Sequence, residues 1–307
     1  MIIFKDIQLE DKPLFDRYFN AKLYMNSEYS FTNTFIWRLS YHFQYAVIHD
    51  HLCIVGKYRN QYPFAFAPLA LTTFDYEQVI PILAEIFREK GYPLILKSVP
   101  EEQKEIIEYQ LPGKIIFRED RNNFDYVYLA QQLIDLKGNK FRQKRNHINK
   151  FLRNYEFQYE EMSDSNLEEC LHTGVKWASK RSNDLTVLEE KRAIEEIIKH
   201  FHDLRVTGGV IRIHGEVQAF TVGELLSSDM AVIHIEKANT NYDGAYCMIN
   251  MMYARSEWSH VTYINREEDM GIPGLRKAKE SYNPVKMIKK YTGFYEQEGD
   301  YNDPTGC

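Results

Sequence analysis

The chain has 307 residues, of which 44% are apolar and 27% charged, and its net charge is −6. That length exceeds what one hydrophobic core usually serves, so two domains are expected. With only 15 Gly and 10 Pro the composition excludes a collagenous or disordered chain, and the acidic balance excludes a uniformly basic DNA binder while allowing local basic patches. In chain order, a first strand is expected at Ile2–Phe4 and two short helices at Glu10–Asn20 and Tyr29–Arg38, where apolar residues recur at helical spacing. Phe43–His49 and Leu52–Lys57 read as a hairpin, followed by a strand at Pro63–Ala67. Asp75 with Gln78 reads as a capping box for a helix to about Lys90. A buried strand Leu94–Val99, a helix with Pro100 in its first turn, and strands near Lys114–Phe117 and Asp125–Leu129 complete the first half.

The second half repeats this order. Ser165 with Glu168 and Thr186 with Glu189 mark two helices, to about Lys180 and Asp203. A hairpin turns at His214-Gly215 between Gly209–His214 and Glu216–Leu225, and a strand follows at Ala231–Lys237. A helix Gly244–Trp258, a strand Val261–Arg266, a helix from Pro273 to about Tyr282 and a last strand Lys286–Tyr291 close the chain. Both halves read helix, helix, three antiparallel strands, helix, strand, helix, strand, a repeat of element order without obvious sequence identity.

Between the halves, Lys137 to Arg153 holds seven Lys or Arg, one His and no acid. Asn139 can cap a helix over 139–153 whose stripe of Phe141, Ile148 and either Phe151 or Leu152 packs inward, leaving Lys140, Arg142, Lys144 and Arg145 for phosphate or for solvent. Strand parity puts His234 and Glu236 on one face of their strand and Lys237 at its end, before Asn241-Tyr242-Asp243-Gly244-Ala245 and a helix. Burial would raise the pKa of Glu236 and let it accept a proton; a Glu236–Lys237 ion pair is the plainer alternative. In YINREEDMGIPGLRKAKESYNP, Asn265 and Arg266 lead to Glu267, Glu268 and Asp269 at a strand tip. These acids repel one another unless Arg266, Arg276, Lys277 and Lys279 answer them. Cys53, Cys170, Cys247 and Cys307 form no CxxC and no spacing to histidine, so no metal site or disulfide framework is suggested and a reducing, cytoplasmic setting fits. MIIFKDIQLEDK lacks a signal-peptide core, and no apolar run approaches the roughly 18 residues of a membrane span, so no transmembrane segment is expected.

Taken together, IHIEKANTNYDGAYCMINMMYA, YINREEDMGIPGLRKAKESYNP and DYVYLAQQLIDLKGNKFRQKRNHINKF resemble the C-terminal domain family of phosphatidylglycerol lysyltransferases, with Tyr29-Ser30-Phe31-Thr32-Asn33 and Trp37 as an N-terminal piece. The resemblance implies an α+β fold of two tandem N-acetyltransferase-like (GNAT) domains, each a mixed, mostly antiparallel sheet flanked by helices, with exchanged terminal strands. The domains are placed at 1–135 and 136–307. It is similar to the Fem-type transferases, which implies aminoacyl transfer from aminoacyl-tRNA, or another phosphate-bearing donor, to a lipid or other small acceptor, peripherally at an anionic membrane surface where the acceptor is lipid. Catalytic candidates are then Glu236, Glu267, Glu268 and Asp269. Substrate and phosphate candidates are Lys140, Arg142, Lys144, Arg145, Asn146, Lys237, Tyr242, Gly244, Asn265, Arg266, Arg276, Lys277, Lys279 and Tyr282. The chain lacks the Gln/Arg-x-x-Gly-x-Gly/Ala loop that holds coenzyme A, which disfavours that cofactor, and none is required. The alternatives are acyl-coenzyme A dependent N-acyltransfer and a non-catalytic module that binds RNA or anionic lipid.

Overall fold

The computed structural model describes residues 2–22, 24–179 and 185–296; Lys180 and Cys307, named above, lie outside them. The first half holds β1 (Lys5–Asp6), α1 (Lys12–Phe19), α2 (Phe31–Tyr41), β2 (Gln44–Ile48), β3 (His51–Gly56), β4 (Phe64–Phe66), β5 (Leu69–Ala70), α3 (Tyr76–Glu89), β6 (Ile95–Pro100), α4 (Glu101–Gln110), β7 (Ile115–Glu119) and β8 (Asp125–Leu129). The second half continues with α5 (Ala130–Asp135), α6 (Arg142–Asn154), β9 (Phe157–Glu161), α7 (Leu167–Ser179), α8 (Leu185–Lys199), α9 (Phe201–Leu204), β10 (Thr207–Ile213), β11 (Glu216–Ser227) and β12 (Met230–Ala238). It ends with α10 (Ala245–Ser256), β13 (Tyr263–Asn265), α11 (Pro273–Glu280), β14 (Lys286–Ile288) and β15 (Lys290–Tyr295). Half of the Asp75 capping box forms, its carboxylate accepting from the Gln78 backbone N–H at 3.2 Å, while the Asp75 N–H donates to His51 Nε2 at 3.0 Å instead of to the Gln78 side chain. The first strand starts later than expected, with Ile2 and Ile3 exposed. Asn139 lies in a 3-10 turn and makes no side-chain cap for α6.

Two compact units emerge, and neither is continuous in sequence. Unit 1 comprises residues 1–22, 38–121 and 289–307, and unit 2 comprises 23–37 and 122–288. The division therefore falls at 121/122 rather than at 135/136, because β8 pairs only with strands of the second half. Unit 1 carries the sheet β1-β2-β3-β4-β6-β15-β7, with β5 also against β3. Unit 2 carries β14-β8-β13-β12-β11-β10-β9. Each sheet has one parallel pair, β4 with β6 and β12 with β13, and is otherwise antiparallel. The exchange is reciprocal: β15, from the end of the chain, lies between β6 and β7, while β8, from the first half, lies between β13 and β14. What reads in the sequence as one last strand is two, each in a different sheet.

The core of unit 2 packs the inner face of its sheet, including Tyr126, Ile211, Ala231 and Ile264, against Ile249 and Tyr253 of α10 and Phe151 of α6. Burying that apolar surface is the main force holding the layers together. It also places α6 and the start of α10 at the end of the sheet where β12 and β13 part. Among the described residues, no helix is long and apolar enough to cross a membrane.

Candidate functional site

The parallel pairing of β12 with β13 covers only Met230–Val232 against Tyr263–Asn265, although β12 runs on to Ala238. Beyond Val232 the strands diverge, and side chains bridge the gap in place of backbone hydrogen bonds. Arg266 donates through Nη2 to Glu236 Oε1 at 2.8 Å. His234 Nδ1 meets Glu267 Oε1 at 2.9 Å. Successive residues of a strand point to opposite faces. Arg266 and Glu267 accordingly reach β12 on opposite faces: the expectation that His234 and Glu236 share a face fails, because a bulge between Ile233 and Ile235 turns Glu236 toward Asn250 of α10 and His234 toward Glu224. The two acid-bearing tips thus adjoin β12 on its two faces, Glu236 with Arg266 and Asn250, and Glu267 with His234 and Asn33.

His234 is fully enclosed, and its Nε2 meets Glu224 Oε1 at 3.0 Å. Both ring nitrogens face carboxylates, so both donate and the imidazole is protonated. Burial pushes against that charge, but the bonds to Glu224 and Glu267 outweigh it and raise the pKa to about 9. Ser30 Oγ also donates to Glu224 (2.6 Å), and Asn33 Nδ2 to Glu267 (3.1 Å). The segment quoted above as an N-terminal piece is therefore fastened to this site by two side chains.

The surroundings of Arg266 are aromatic. Its guanidinium lies 4.8 Å from the Tyr282 ring centroid and 5.7 Å from that of Tyr128, and the Lys144 ammonium lies 3.8 Å from the Tyr282 centroid. Such stacking holds a cation without using its hydrogen-bond donors. Arg266 Nη1 is buried with no hydrogen-bond partner, and Lys144 has no acceptor among the described residues. Burial, with some help from Arg266, pushes the Lys144 pKa down. Asn250, on α10, donates to Glu236 Oε2 at 3.1 Å, while its own Oδ1 is buried and unpartnered. Four predicted residues, Lys144, Glu236, Arg266 and Tyr282, thus meet in one cluster whose spare donors are cationic. Tyr128 and Asn250 complete it and were missed, since an aromatic or an amide inside an apolar run carries no separate signal.

Other predicted residues are turned to structural work. Asp269 is fully buried and accepts from Tyr126 Oη (2.5 Å), the Gly271 backbone N–H (2.8 Å) and Arg276 Nε and Nη2 (both 2.8 Å). Burial opposes ionisation there, but these donors hold the carboxyl well below the usual carboxylate range, so Asp269 anchors the Gly271 turn and is no base at neutral pH. Arg276 is committed to the same pair. Lys279 Nζ donates to the carbonyls of Arg266 and Glu268, both at 2.5 Å, which staples the strand tip. Asn265 is fully buried, donates to Asp125 (3.0 Å) and to the Met25 carbonyl (2.8 Å), and accepts from the Glu267 N–H.

Of the basic residues, Arg145 donates to the Leu136 and Gly138 carbonyls that end α5, and Lys140 donates to Gln132. Lys237 pairs with Glu190 rather than with Glu236. Arg142, Asn146 and Lys277 are exposed, and Asn146 borders a shallow hollow with Asn149, Leu152 and Arg153. Tyr242 packs on the Tyr155 ring, 5.1 Å between centroids.

Residues 21–294 match the family described as phosphatidylglycerol lysyltransferase, C-terminal. The chain belongs to that family. A conserved protein of unknown function from Bacteroides thetaiotaomicron VPI-5482 is 35% identical, with a TM-score of 0.89 over 96% of this chain and 100% of that one. L-PGS from Bacillus licheniformis is 15% identical, with a TM-score of 0.58 over 84% of this chain and 85% of that one. A tandem GNAT protein from the clavulanic acid biosynthesis pathway is 7% identical, with a TM-score of 0.52 over 98% of this chain and 100% of that one. The likeness to the last two is one of fold. An uncharacterized protein of Mycoplasmoides gallisepticum (strain R(low / passage 15 / clone 2)) is 27% identical over 181 residues, 57% of this chain and 57% of that relative's own length. Two GNAT-like units in tandem, as in the clavulanic acid pathway protein, are thus the fold of this family member.

Coenzyme A is the acyl donor that a GNAT fold brings to mind, with its pyrophosphate at the helix start after β12. At that position stand Asp243 and Gly244. Gly244 precedes α10 in a left-handed conformation (φ 91°), and a Cβ on it would lie 2.4 Å from the His147 carbonyl oxygen, so α6 is seated directly on that helix start. Asp243 adds a carboxylate, paired with Lys150 at 2.6 Å and with His147 at 3.2 Å.

Proposed function

We propose that unit 2 transfers an aminoacyl group from aminoacyl-tRNA to a hydroxyl or amine acceptor, with phosphatidylglycerol the first to try. The single observation that carries this reading is the pair of donors, Arg266 Nη1 and Lys144 Nζ, left without acceptors beside Tyr282 where β12 and β13 diverge. A buried N–H left without an acceptor is unfavourable by itself and becomes favourable when an oxyanion or phosphate oxygen arrives. The Asp243 and Gly244 arrangement supports a donor other than coenzyme A.

In this mechanism the acceptor's hydroxyl or amine attacks the ester carbonyl and forms a new C–O or C–N bond. Negative charge gathers on the carbonyl oxygen, which Arg266 and Lys144 stabilise. As the ester bond to the ribose breaks, the acceptor's proton passes to the departing ribose oxygen. Glu236 is the carboxylate beside this transfer and holds Arg266 in place. Positioning and charge stabilisation suffice for an ester that is already activated.

The test is transfer of radiolabelled amino acids from a charged tRNA pool to phosphatidylglycerol micelles or to soluble amines, using the wild type and Lys144→Ala. The expected result is labelled product that needs charged tRNA and falls 10²–10³-fold in the variant, the range for losing one oxyanion donor. Acylation driven by acetyl-coenzyme A, with no response to charged tRNA, would overturn the proposal.

A further inference from the structure

Unit 1 holds a hollow of about 550 Å³. That falls within the roughly 300–1,000 Å³ typical of small-molecule sites. Its apolar wall includes Phe4, Phe43, Val55 and Phe87, from the segment before β1, the turn before β2, β3 and α3. The floor exists because residue 56 is glycine: a Cβ there would lie 2.7 Å from the Phe43 ring, so only glycine lets that ring lie flat against β3. Lys57 and Lys90 also line the hollow. Lys57 Nζ sits 5.6 Å from the Tyr92 ring centroid and Lys90 Nζ 5.9 Å from that of Phe4. Neither ammonium has a hydrogen-bond or ion-pair partner among the described residues. The acid on the lining, Asp6, already accepts from Gln44 Nε2 at 2.8 Å. An apolar hollow of this size with two unanswered ammonium groups complements one chemistry, an apolar body ending in a negative charge.

We propose that this hollow binds an amphiphilic carboxylate, an alkyl chain of about ten carbons against the rings with its carboxylate between Lys57 and Lys90. The site stands independently of the transfer reaction in unit 2, since no residue is shared with it. The carboxylate replaces water at the two ammonium groups, and each methylene replaces water against an aromatic wall.

The test is calorimetric titration of the full chain with octanoate, decanoate and dodecanoate, and with decan-1-ol and decylammonium as head-group controls. Affinity should rise about fourfold per added methylene until the hollow is filled. The double variant Lys57→Gln/Lys90→Gln removes two solvent-facing charges and should weaken decanoate at least tenfold while leaving decan-1-ol unchanged. Val55→Phe, which fills the hollow, should abolish binding of both, with thermal melts verifying that each variant is folded. Decylammonium binding as tightly as decanoate, decanoate binding unaffected by both variants, or no decanoate binding would each overturn the assignment.

Discussion

Arginine keeps its proton in any protein interior, so the cluster at Arg266 must live with a permanent charge. Its partner Glu236 is 13% exposed and Arg266 itself 12%. Removing one member of a buried pair strands the other, which typically costs about 3–5 kcal/mol. Glu236→Gln should therefore destabilise the chain by that order in chemical denaturation, and Glu236→Gln with Arg266→Met should recover much of it while remaining inactive. His234 gives a pH test. Its pKa rises on folding from the usual 6.5 to about 9, so its stabilisation is complete below pH 6.5 and is lost as pH rises through 9. The stability gap between wild type and His234→Gln should accordingly narrow from pH 6 to pH 10. Asp269 runs the other way: its folded pKa is depressed, so its contribution is present above about pH 4 and fades in acid. Asp269→Asn should be less stable than wild type at pH 7, and the difference should shrink below pH 4. At this scale strand parity put His234 and Glu236 on one face, but a bulge in β12 between Ile233 and Ile235 turns His234 to the side of Glu224 and Glu267 and Glu236 to the side of Asn250 on α10. Parity could not show that bulge, which leaves no mark in the sequence. Nor could it show Glu224 or Ser30, which join only through folding.

At the scale of elements, α6 does two jobs that its charge alone does not separate. Its stripe was legible as Phe141, Ile148 and either Phe151 or Leu152; Phe141, Ile148 and Phe151 are buried, and Leu152 is exposed. Its four named bases looked equivalent, yet Lys144 turns toward Tyr282, Arg145 caps the carbonyls of α5, Lys140 reaches Gln132, and Arg142 stays exposed. What sorts them is the docking of α6 on the start of α10, where Gly244 allows contact with the His147 carbonyl. Gly244→Ala adds a methyl at a positive φ and pushes on backbone, so it should destabilise by about 1–3 kcal/mol. Since Lys144 rides on α6, the same substitution should lower transfer beyond what a fall in folded fraction explains, measured well below the melting temperature.

At the scale of the molecule, the repeat of element order was visible, and so was the expectation of exchanged strands through the family resemblance. The place of exchange was not, because Lys286–Ile288 and Lys290–Tyr295 carry one apolar pattern broken only at Lys289. A chain ending after Ile288 lacks the strand that joins β6 to β7. Limited proteolysis of that truncation should cleave first within residues 38–121, with fragments from 122–288 more persistent. Protection of residues 38–121 equal to that in the full chain would refute the shared-strand account. The same topology sets a schedule for synthesis. The chain leaves the ribosome from its N-terminus, so β6 and β7 emerge about 170 residues before β15. For most of translation the earlier-made unit waits for its last strand with two edges exposed, and nascent chains of this protein should depend on chaperones that shield such edges.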